Sequence, residues 1–473
     1  MTRPSAHSDW NNVDLWRNIC PELSIQPMSN HNEMDKVVIK DKPLLDFEEI
    51  SSDLLTDGYS LLDDFGAFIS PKLIEKLTRG IVQLKEKGWP ASMILLFDET
   101  WMLAQHAAKI IQSCTHPENI LNFDLLAWHI DPSAGESGFS PHRDRQPENV
   151  ISSFHQSDHS TVSRNNLGHA KYVTLWLALT DATPENSCLY VIPAINDPGY
   201  LEGDDKDEDQ DQLPDEVNAA RESFGKPAII SNQGPLQRAL RFKESYQNIR
   251  AIPRNAGQAV LFTHRIMHWG SKGNPRKKGS PRIAISFVAS HESFEKPYVK
   301  PEYLSKSKLP PFEIRLLLVC SQLLIYYQRF NLSRATIRTC YDYVKAHESE
   351  LEPVYLNKVC VEFVKALKEA QVISGAQAAD ATAPLMNATE DASDDEEAML
   401  EEMLNAKAGG YGDFEDDYDE TEGINENNYS ADEDDDEEET DYAGFNFDAH
   451  IKKRAPCADI ISKEDPKKSK TED

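Results

Sequence analysis

The spacing of apolar residues predicts helices in the first quarter of the chain. A short strand is predicted over 57–62, and Ser70-Pro71 then begins a helix with serine as the cap and proline in the first turn. Apolar residues follow at intervals of three and four, which gives this helix one apolar face: Leu73, Ile74, Leu77, Ile81 and Leu84. A second helix is predicted over 99–113.

From Phe123 onward the pattern has the shorter period of β-strands. Apolar segments separated by turn residues predict strands over 123–131, 138–145, 171–180, 188–193, 258–263, 266–270 and 281–290. Many short strands of this kind are typical of a barrel or a sandwich. The sequence therefore predicts a mainly β fold with flanking helices.

Two of these strands have faces of different character. In 172–179 one face is aliphatic, and the other carries Trp176 between small or polar neighbours. In 282–287 one face is again apolar, and the other begins with Arg282. A face of the second kind either lines a ligand cavity or lies in solvent, and the tryptophan favours a cavity.

The chain is predicted to have four segments. Residues 1–44 are polar and irregular, 45–300 hold the β domain, 301–371 form a helical extension, and 372–473 are a disordered acidic tail. A charged insert at 201–250 interrupts the β pattern and fits a functional lid and a disordered excursion equally well.

Helical spacing returns after Pro310-Pro311. It predicts helices over 312–329, 332–347 and 353–370, with Ser333 as the cap of the second. Inside the insert, a further helix is predicted around 214–224.

The negative charge of the chain is concentrated in its tail. The segment from Glu390 to Asp441 has 25 acidic residues and one basic residue, Lys407, so it carries −24 of the formal −31 and leaves −7 for the rest. The nearly balanced body gives no reason to expect direct nucleic-acid binding, whereas the tail suits a basic protein partner. Basic clusters at 451–454 and 466–470 resemble a bipartite nuclear import signal, although a solvated charged tail accounts for them as well.

The seven cysteines are scattered and lack CxxC spacing, which favours reduced thiols in an intracellular protein over disulfides. The first residues contain no apolar stretch of the signal-peptide kind. The strongest apolar run, 316–327, is too short to cross a bilayer. We therefore expect a cytoplasmic or nuclear protein without a membrane span.

His142-Arg143-Asp144 is the segment with the most specific chemistry. Alternate residues of an extended chain point to the same side, so His142 and Asp144 can reach one metal ion together with a distant histidine, His268. Two imidazoles and one carboxylate are the ligand set of non-haem Fe(II) sites, which leave positions open for a cosubstrate and oxygen. Arg282 lies one strand after His268 and supplies the cation that a dianionic cosubstrate needs.

Other histidines compete for these roles. His129-Ile130-Asp131 is a second HxD, but Pro132 and Gly135 after it indicate a turn. His264 competes with His268 and is better interpreted as a packed residue. Three further histidines lie in a polar connection and are interpreted as surface residues: His155, His159 and His169.

These residues resemble the phytanoyl-CoA dioxygenase-like family of Fe(II)/2-oxoglutarate oxygenases. The resemblance covers roughly 55–290 and rests on five pieces in the family's order. They are Asp57-Gly58-Tyr59 with Asp63-Asp64-Phe65, His142-Arg143-Asp144, Trp176 with Asp181, Glu185 to Pro193, and Gly257 through His268 and Asn274 to Arg282. Local departures, such as Ala194-Ile195-Asn196 after Pro193, remove no metal ligand.

The resemblance implies a double-stranded β-helix of the jelly-roll, cupin-like kind. It implies Fe(II) held by His142, Asp144 and His268, and 2-oxoglutarate and O2 as cosubstrates. Arg282 would then bind the distal carboxylate of 2-oxoglutarate, with Trp176 beside it and Ser271 as a weaker hydroxyl partner. Since halogenating relatives lack the carboxylate ligand, its presence favours hydroxylation.

The function expected from this resemblance is hydroxylation of a small or lipid-like organic molecule, with decarboxylation of 2-oxoglutarate to succinate. Two alternatives stay open on the sequence. One is a protein hydroxylase, which needs an open groove. The other is a non-catalytic barrel that serves as a binding module, with the acidic tail recruiting basic partners.

Overall fold

The computed structural model describes residues 10–26, 45–145, 150–156, 167–202, 235–279, 281–305, 308–330 and 332–380. The paired basic clusters, the helix predicted around 214–224 and the acidic tail from 381 onward lie outside these residues, whereas 372–380, predicted to be disordered, continue the last helix. Among the described helices, none combines the length and the apolar character needed to span a membrane.

Helices and strands follow one another along the chain with these bounds. The helices are α1 Val13–Ile19, α2 Phe47–Thr56, α3 Pro71–Glu86, α4 Asp98–Cys114, α5 Gly199–Glu202, α6 Pro235–Ala239, α7 Phe312–Ile325, α8 Arg334–Ala346 and α9 Pro353–Asp380. The strands are β1 Tyr59–Leu62, β2 Ile120–Ile130, β3 Phe154–Gln156, β4 Leu167–Ala170, β5 Tyr172–Ala178, β6 Leu189–Ile192, β7 Arg250–Ile252, β8 Ala259–Thr263, β9 Met267–Gly270 and β10 Arg282–Ser290.

The described strands pair into antiparallel sheets. The largest has the order β1-β8-β5-β10-β2, a second has the order β7-β6-β9, and β3 pairs with β4. In the large sheet Trp176 lies opposite Ser286 of β10 on one side and Val260 of β8 on the other. The register therefore places the small and polar faces predicted for β5 and β10 side by side.

The two larger sheets share one apolar core. Residues of both contribute to it: Trp176, Ala178, Ala182, Cys188, Leu189, Val191, Ile252, Val260, Phe262, Ile266 and Ala284. The opposite face of the large sheet is covered by α4, which packs against β2, β5 and β10. Since every residue of β5 and β10 is buried, the alternative of a solvated second face is wrong.

One predicted strand is absent. Residues 138–145 form an irregular segment in which His142 makes an isolated bridge to His268 of β9. The chain crosses β9 at Gly138 and Gly270, where a Cβ built on Gly138 would lie 2.5 Å from the Cα of Gly270. Such a close crossing excludes side chains at both positions, so the glycines allow the HxD segment to reach β9.

Three short strands were not predicted, because three or four residues carry too little alternation to recognise: β3, β4 and β7. Residues 10–26, within the segment expected to be irregular, contain the helix α1. Its Trp16 is fully buried and packs against Trp89, with ring centroids 4.9 Å apart. The contact of Trp16 with Trp89 therefore stabilises this short helix, which has no extended apolar periodicity of its own.

The helices after residue 310 were predicted correctly and dock on the β domain through a buried ion pair. Arg315 of α7 lies 2.6 Å from a carboxylate oxygen of Asp98 at the start of α4, and both side chains are at most 2 % exposed. Arg315 also donates to the carbonyls of Leu96 (3.0 Å) and Pro310 (2.7 Å). These contacts hold the helical extension against the body of the protein.

Asp98→Ala is expected to lower the free energy of unfolding by about 3–5 kcal/mol, because it leaves the Arg315 guanidinium buried without its counter-charge. Urea denaturation followed by circular dichroism measures this. The control is Glu348→Ala, which breaks an ion pair with Lys345 whose side chains are 45 % and 48 % exposed, and should cost less than about 1 kcal/mol. Equal losses in the two variants would show that the ion pair does not hold the extension.

Candidate metal centre

The structure brings His142, Asp144 and His268 together from two distant parts of the chain. The backbone N–H of each histidine donates to the carbonyl of the other at 3.0 Å, so the HxD segment lies along β9. Arg143 points away from the three side chains and pairs with buried Asp197 at 2.7 Å. Alternation therefore places His142 and Asp144 on one side even without a regular strand.

The three side chains present converging ligand atoms. Nε2 of His142 lies 3.7 Å and Nε2 of His268 lies 3.5 Å from Oδ1 of Asp144. One ligand atom from each residue lies within 4.8 Å of the others. Two nitrogens, one carboxylate oxygen and no thiolate form a donor set that fits Fe(II).

Both imidazoles are oriented by hydrogen bonds to the backbone. Nδ1 of His142 donates to the carbonyl of Ser140 (2.7 Å), and Nδ1 of His268 donates to that of Ile266 (3.2 Å). Because each proton is thus on Nδ1, each Nε2 keeps a lone pair directed toward Asp144. In protein metal sites, a hydrogen bond made by the ring nitrogen that does not bind the metal commonly orients the histidine in this way.

Asp144 has one oxygen in a hydrogen bond and one directed toward the histidines. Its Oδ2 accepts from the hydroxyl of Thr174 on β5 at 2.6 Å. Burial works to raise the pKa of Asp144, but His268, His142 and the Thr174 hydroxyl outweigh it and hold that pKa below its usual value. The carboxylate is therefore ionised at neutral pH.

Burial and the neighbouring His268 lower the pKa of His142 to about 4. Its imidazole is therefore neutral at neutral pH, so a metal ion need not displace a proton from it. The site is thus electrostatically prepared for a cation.

The competing histidines have other contacts. Asp131 of the second HxD accepts from the backbone N–H (2.9 Å) and hydroxyl (2.7 Å) of Ser133 and so caps the turn that was predicted there. His264 is fully buried, and its Nδ1 donates to the carbonyl of Tyr172 at 3.0 Å. Both observations agree with the preference for His142, Asp144 and His268.

Arg282 is a buried cation whose Nε has no hydrogen-bond partner among the described residues. It is 4 % exposed, and its guanidinium lies 5.5 Å from the ring centroid of Trp176. Burial lowers the pKa of Arg282 to about 10, which still leaves it charged at neutral pH. A buried guanidinium without a carboxylate beside it is suited to bind an anionic ligand.

Ser271 is engaged elsewhere. Its hydroxyl donates to the carbonyl of Pro184 at 3.3 Å, and its N–H donates to the carbonyl of Cys188 at 3.0 Å. It therefore contributes to the turn before β6, and the structure gives no contact between it and Arg282.

Sequence reasoning missed Thr174 as the partner of Asp144. The strand pattern did place Thr174 on the same face as Trp176. A polar residue on that inner face could therefore have indicated a role near the site. The pairing itself joins residues 30 positions apart in the chain and depends on how β5 meets the HxD segment.

A chain of aromatic rings begins at His142, and the helical extension contributes to it. Phe139 lies 5.3 Å from His142 and 4.7 Å from Trp128, by ring centroids. From the segment after α7, Phe330 stacks on Trp128, and the Arg329 guanidinium lies 4.0 Å from the Phe139 centroid. Residues far from the HxD segment in sequence thus contact the aromatic side chains next to the candidate metal centre.

Comparison with known families agrees with this chemistry. The protein is an oxidoreductase of the 2-oxoglutarate-dependent dioxygenase class, whose cofactor and cosubstrates are Fe(II), 2-oxoglutarate and O2. Residues 56–279 match the family model described as phytanoyl-CoA dioxygenase, and the domain that they form belongs to this family. The match ends shortly before Arg282 and does not include the helical extension.

Solved structures give weaker likenesses. The α-ketoglutarate-dependent epimerase SnoN from nogalamycin biosynthesis is 15 % identical over 52 % of this chain and 80 % of its own, with a TM-score of 0.33. HygX from Streptomyces hygroscopicus, solved with nickel and 2-oxoglutarate bound, is 13 % identical over 54 % and 90 %, with a TM-score of 0.32. Similarity at this level carries no conclusion about the substrate. No curated protein sequence matches the chain.

Proposed function

We propose that this protein hydroxylates a small or lipid-like organic substrate and that its two larger sheets form a double-stranded β-helix. One observation carries the functional proposal. Two imidazoles and a carboxylate direct their ligand atoms toward one another. Buried Arg282, whose Nε has no hydrogen-bond partner in the described part of the chain, is on the same face of β10 as Ala284 and Ser286, which pair with β5. This arrangement provides for a metal ion and for an anionic cosubstrate.

The roles of the residues follow from their contacts. His142, Asp144 and His268 would hold Fe(II), and Arg282 would bind the distal carboxylate of 2-oxoglutarate with Trp176 against its guanidinium. The Ser271 hydroxyl would donate to the same carboxylate only after breaking its hydrogen bond to the carbonyl of Pro184. Bound Fe(II) supplies the redox chemistry by which 2-oxoglutarate, O2 and a substrate C–H yield succinate, CO2 and an alcohol.

The surroundings of His142 favour an apolar substrate group. Phe139 lies beside His142, Trp128 packs against Phe139 and Phe330 stacks on Trp128, while Arg329 covers one face of Phe139. Aromatic side chains with few polar groups are typical of pockets for small organic ligands. The complete ligand set argues against a non-catalytic binding module.

Partner and compartment are further proposals. The described cysteines form no disulfides, which supports an intracellular location: Cys20, Cys114, Cys188, Cys320, Cys340 and Cys360. The segment from Glu390 to Asp441 is the part of the chain whose charge would attract a basic protein.

Anaerobic titration of the full-length apo-protein with Fe(II) and 2-oxoglutarate tests the proposed function. We expect the visible charge-transfer band that a chelated 2-oxoglutarate–Fe(II) complex gives, followed under oxygen by succinate formation measured by NMR. His142→Ala should abolish the band, whereas His347→Ala, whose ring stacks on Tyr343 of α8, should leave it unchanged. A protein that binds neither Fe(II) nor 2-oxoglutarate would contradict the proposal.

A further inference from the structure

A second group of histidines lies where three parts of the chain meet. His116 and Glu118 come from the turn between α4 and β2, His155 comes from β3, and His291 follows β10. The sequence interpretation placed His155 on the surface, but its ring stacks on that of His116 with centroids 3.8 Å apart and planes at 17°. This group shares no residue with the metal centre described above.

Three of these side chains have the composition of a metal site. His116, Glu118 and His155 each offer one ligand atom, and these atoms lie within 4.8 Å of one another. Nδ1 of His116 is 3.8 Å from Oε2 of Glu118 and accepts the backbone N–H of Glu118 at 3.3 Å, a hydrogen bond that a metal ion at Nδ1 would replace. Two imidazoles and a carboxylate, with no thiolate, are a ligand set found at Zn²⁺ sites with a solvent ligand.

Asn119 fixes the proton of His155. The amide nitrogen of Asn119 donates to the carbonyl of Ala170 (2.9 Å) and to the Thr115 hydroxyl (3.2 Å), so its Oδ1 is the acceptor of the proton on Nε2 of His155 (3.1 Å). Nδ1 of His155 therefore keeps its lone pair. Hydrogen bonds of this kind set the tautomer of metal-binding histidines.

His291 orients Glu118 in the same manner. Nδ1 of His291 accepts from the backbone N–H of Ser293 (3.1 Å), so its Nε2 carries the proton and donates to Oε2 of Glu118 (3.0 Å). A carboxylate held by a second histidine is positioned before any metal arrives. Glu118 is otherwise exposed, and a solvated carboxylate without such a partner would have no defined direction.

We propose that His116, Glu118 and His155 bind Zn²⁺, with water as the fourth ligand and with Asn119 and His291 as positioning residues. Bonds of about 2.0–2.2 Å require the ligand atoms to approach one another and the stacked rings to tilt apart. His116 has room for this, because its side chain is 34 % exposed.

Zn²⁺ at this position would connect β3 to the large sheet. β3 lies in the stretch between Asp144 and β5, so His155 would anchor that stretch to the turn preceding β2. Glu295 lies a few residues after His291 and forms an ion pair with Arg145 at 2.8 Å. Arg145 in turn directly follows Asp144 in the chain. The ion would therefore stabilise the surroundings of the metal centre without contacting it.

Zn²⁺ titration of the full-length protein by isothermal calorimetry tests this site. The wild type should bind one equivalent that is lost in both Glu118→Gln and His155→Ala and retained in the His347→Ala control. Glu118→Gln changes an exposed side chain and keeps its shape, so loss of folding does not explain its result. His291→Ala should weaken the same binding about 10- to 100-fold, the usual effect of removing an orienting partner.

The variants distinguish Zn²⁺ binding at the proposed site from Zn²⁺ binding at the candidate Fe(II) site and in the acidic tail. Zn²⁺ bound by His142, Asp144 and His268 is lost in His142→Ala and retained in His155→Ala, and tail carboxylates contribute equally to all variants. Unchanged Zn²⁺ binding in both Glu118→Gln and His155→Ala would overturn the proposed site whether or not the dioxygenase function is correct.

Discussion

Asp144→Ala is expected to abolish 2-oxoglutarate turnover. The substitution removes the carboxylate that lies 3.5–3.7 Å from both imidazole nitrogens, and two imidazole ligands alone neither neutralise nor hold Fe(II) well. Turnover is measured as succinate formation under oxygen with saturating Fe(II). We expect it to fall to the level without enzyme.

A graded variant separates loss of the ligand from loss of structure. Thr174→Val keeps Asp144 but removes the hydroxyl that donates to its Oδ2, and should weaken Fe(II) binding about 10- to 100-fold. Thr78→Val is the matched control, because its hydroxyl donates only to the carbonyls of Ile74 and Leu179. Undiminished turnover in Asp144→Ala would refute the proposed ligand set.

Arg282→Ala is expected to raise the KM for 2-oxoglutarate by about 30-fold to a few thousand-fold. Truncating one partner of a buried, hydrogen-bonded charge pair typically costs about 2–5 kcal/mol, which corresponds to that range. Fe(II) affinity should change little, since Arg282 is not among the grouped metal ligands. Arg282→Lys should recover part of the loss because it restores the charge but not the bidentate geometry.

Arg254→Ala is the matched control for this experiment. Arg254 is also a buried arginine, but its guanidinium is paired with Asp63. Its loss should affect stability and leave the KM for 2-oxoglutarate unchanged. If the KM were unchanged in Arg282→Ala as well, the cosubstrate cation would have to lie elsewhere, with Lys277 and Lys278 as the next candidates.

Much of the fold could be predicted because it depends on local pattern. The alternation in β5 and β10 and the helical spacing of α3 and α7 are visible within single segments, since burying an apolar face requires that period. The chemistry of the metal centre was visible for a similar reason. His142 and Asp144 are two residues apart, and few other functions need that pair together with His268 and Arg282.

Other features depend on contacts that no local pattern encodes. Residues 138–145 were predicted as a strand, but the crossing of Gly138 over Gly270 leaves only one bridge to β9. His155 was interpreted as a surface residue because the sequence around it is polar. Its place beside His116 arises only when β3 packs against the turn before β2.

The sequence by itself determined most of the element types and the inner strand faces, and it predicted the residues proposed to bind iron and an anion, because these follow from residue chemistry and short-range periodicity. Only the tertiary structure decided which atoms meet. It paired Thr174 with Asp144, placed Arg329 and Phe330 against the aromatic side chains next to the candidate metal centre and assembled the second histidine group. These contacts join residues far apart in the chain, and they depend on the packing of whole elements that buries the common core.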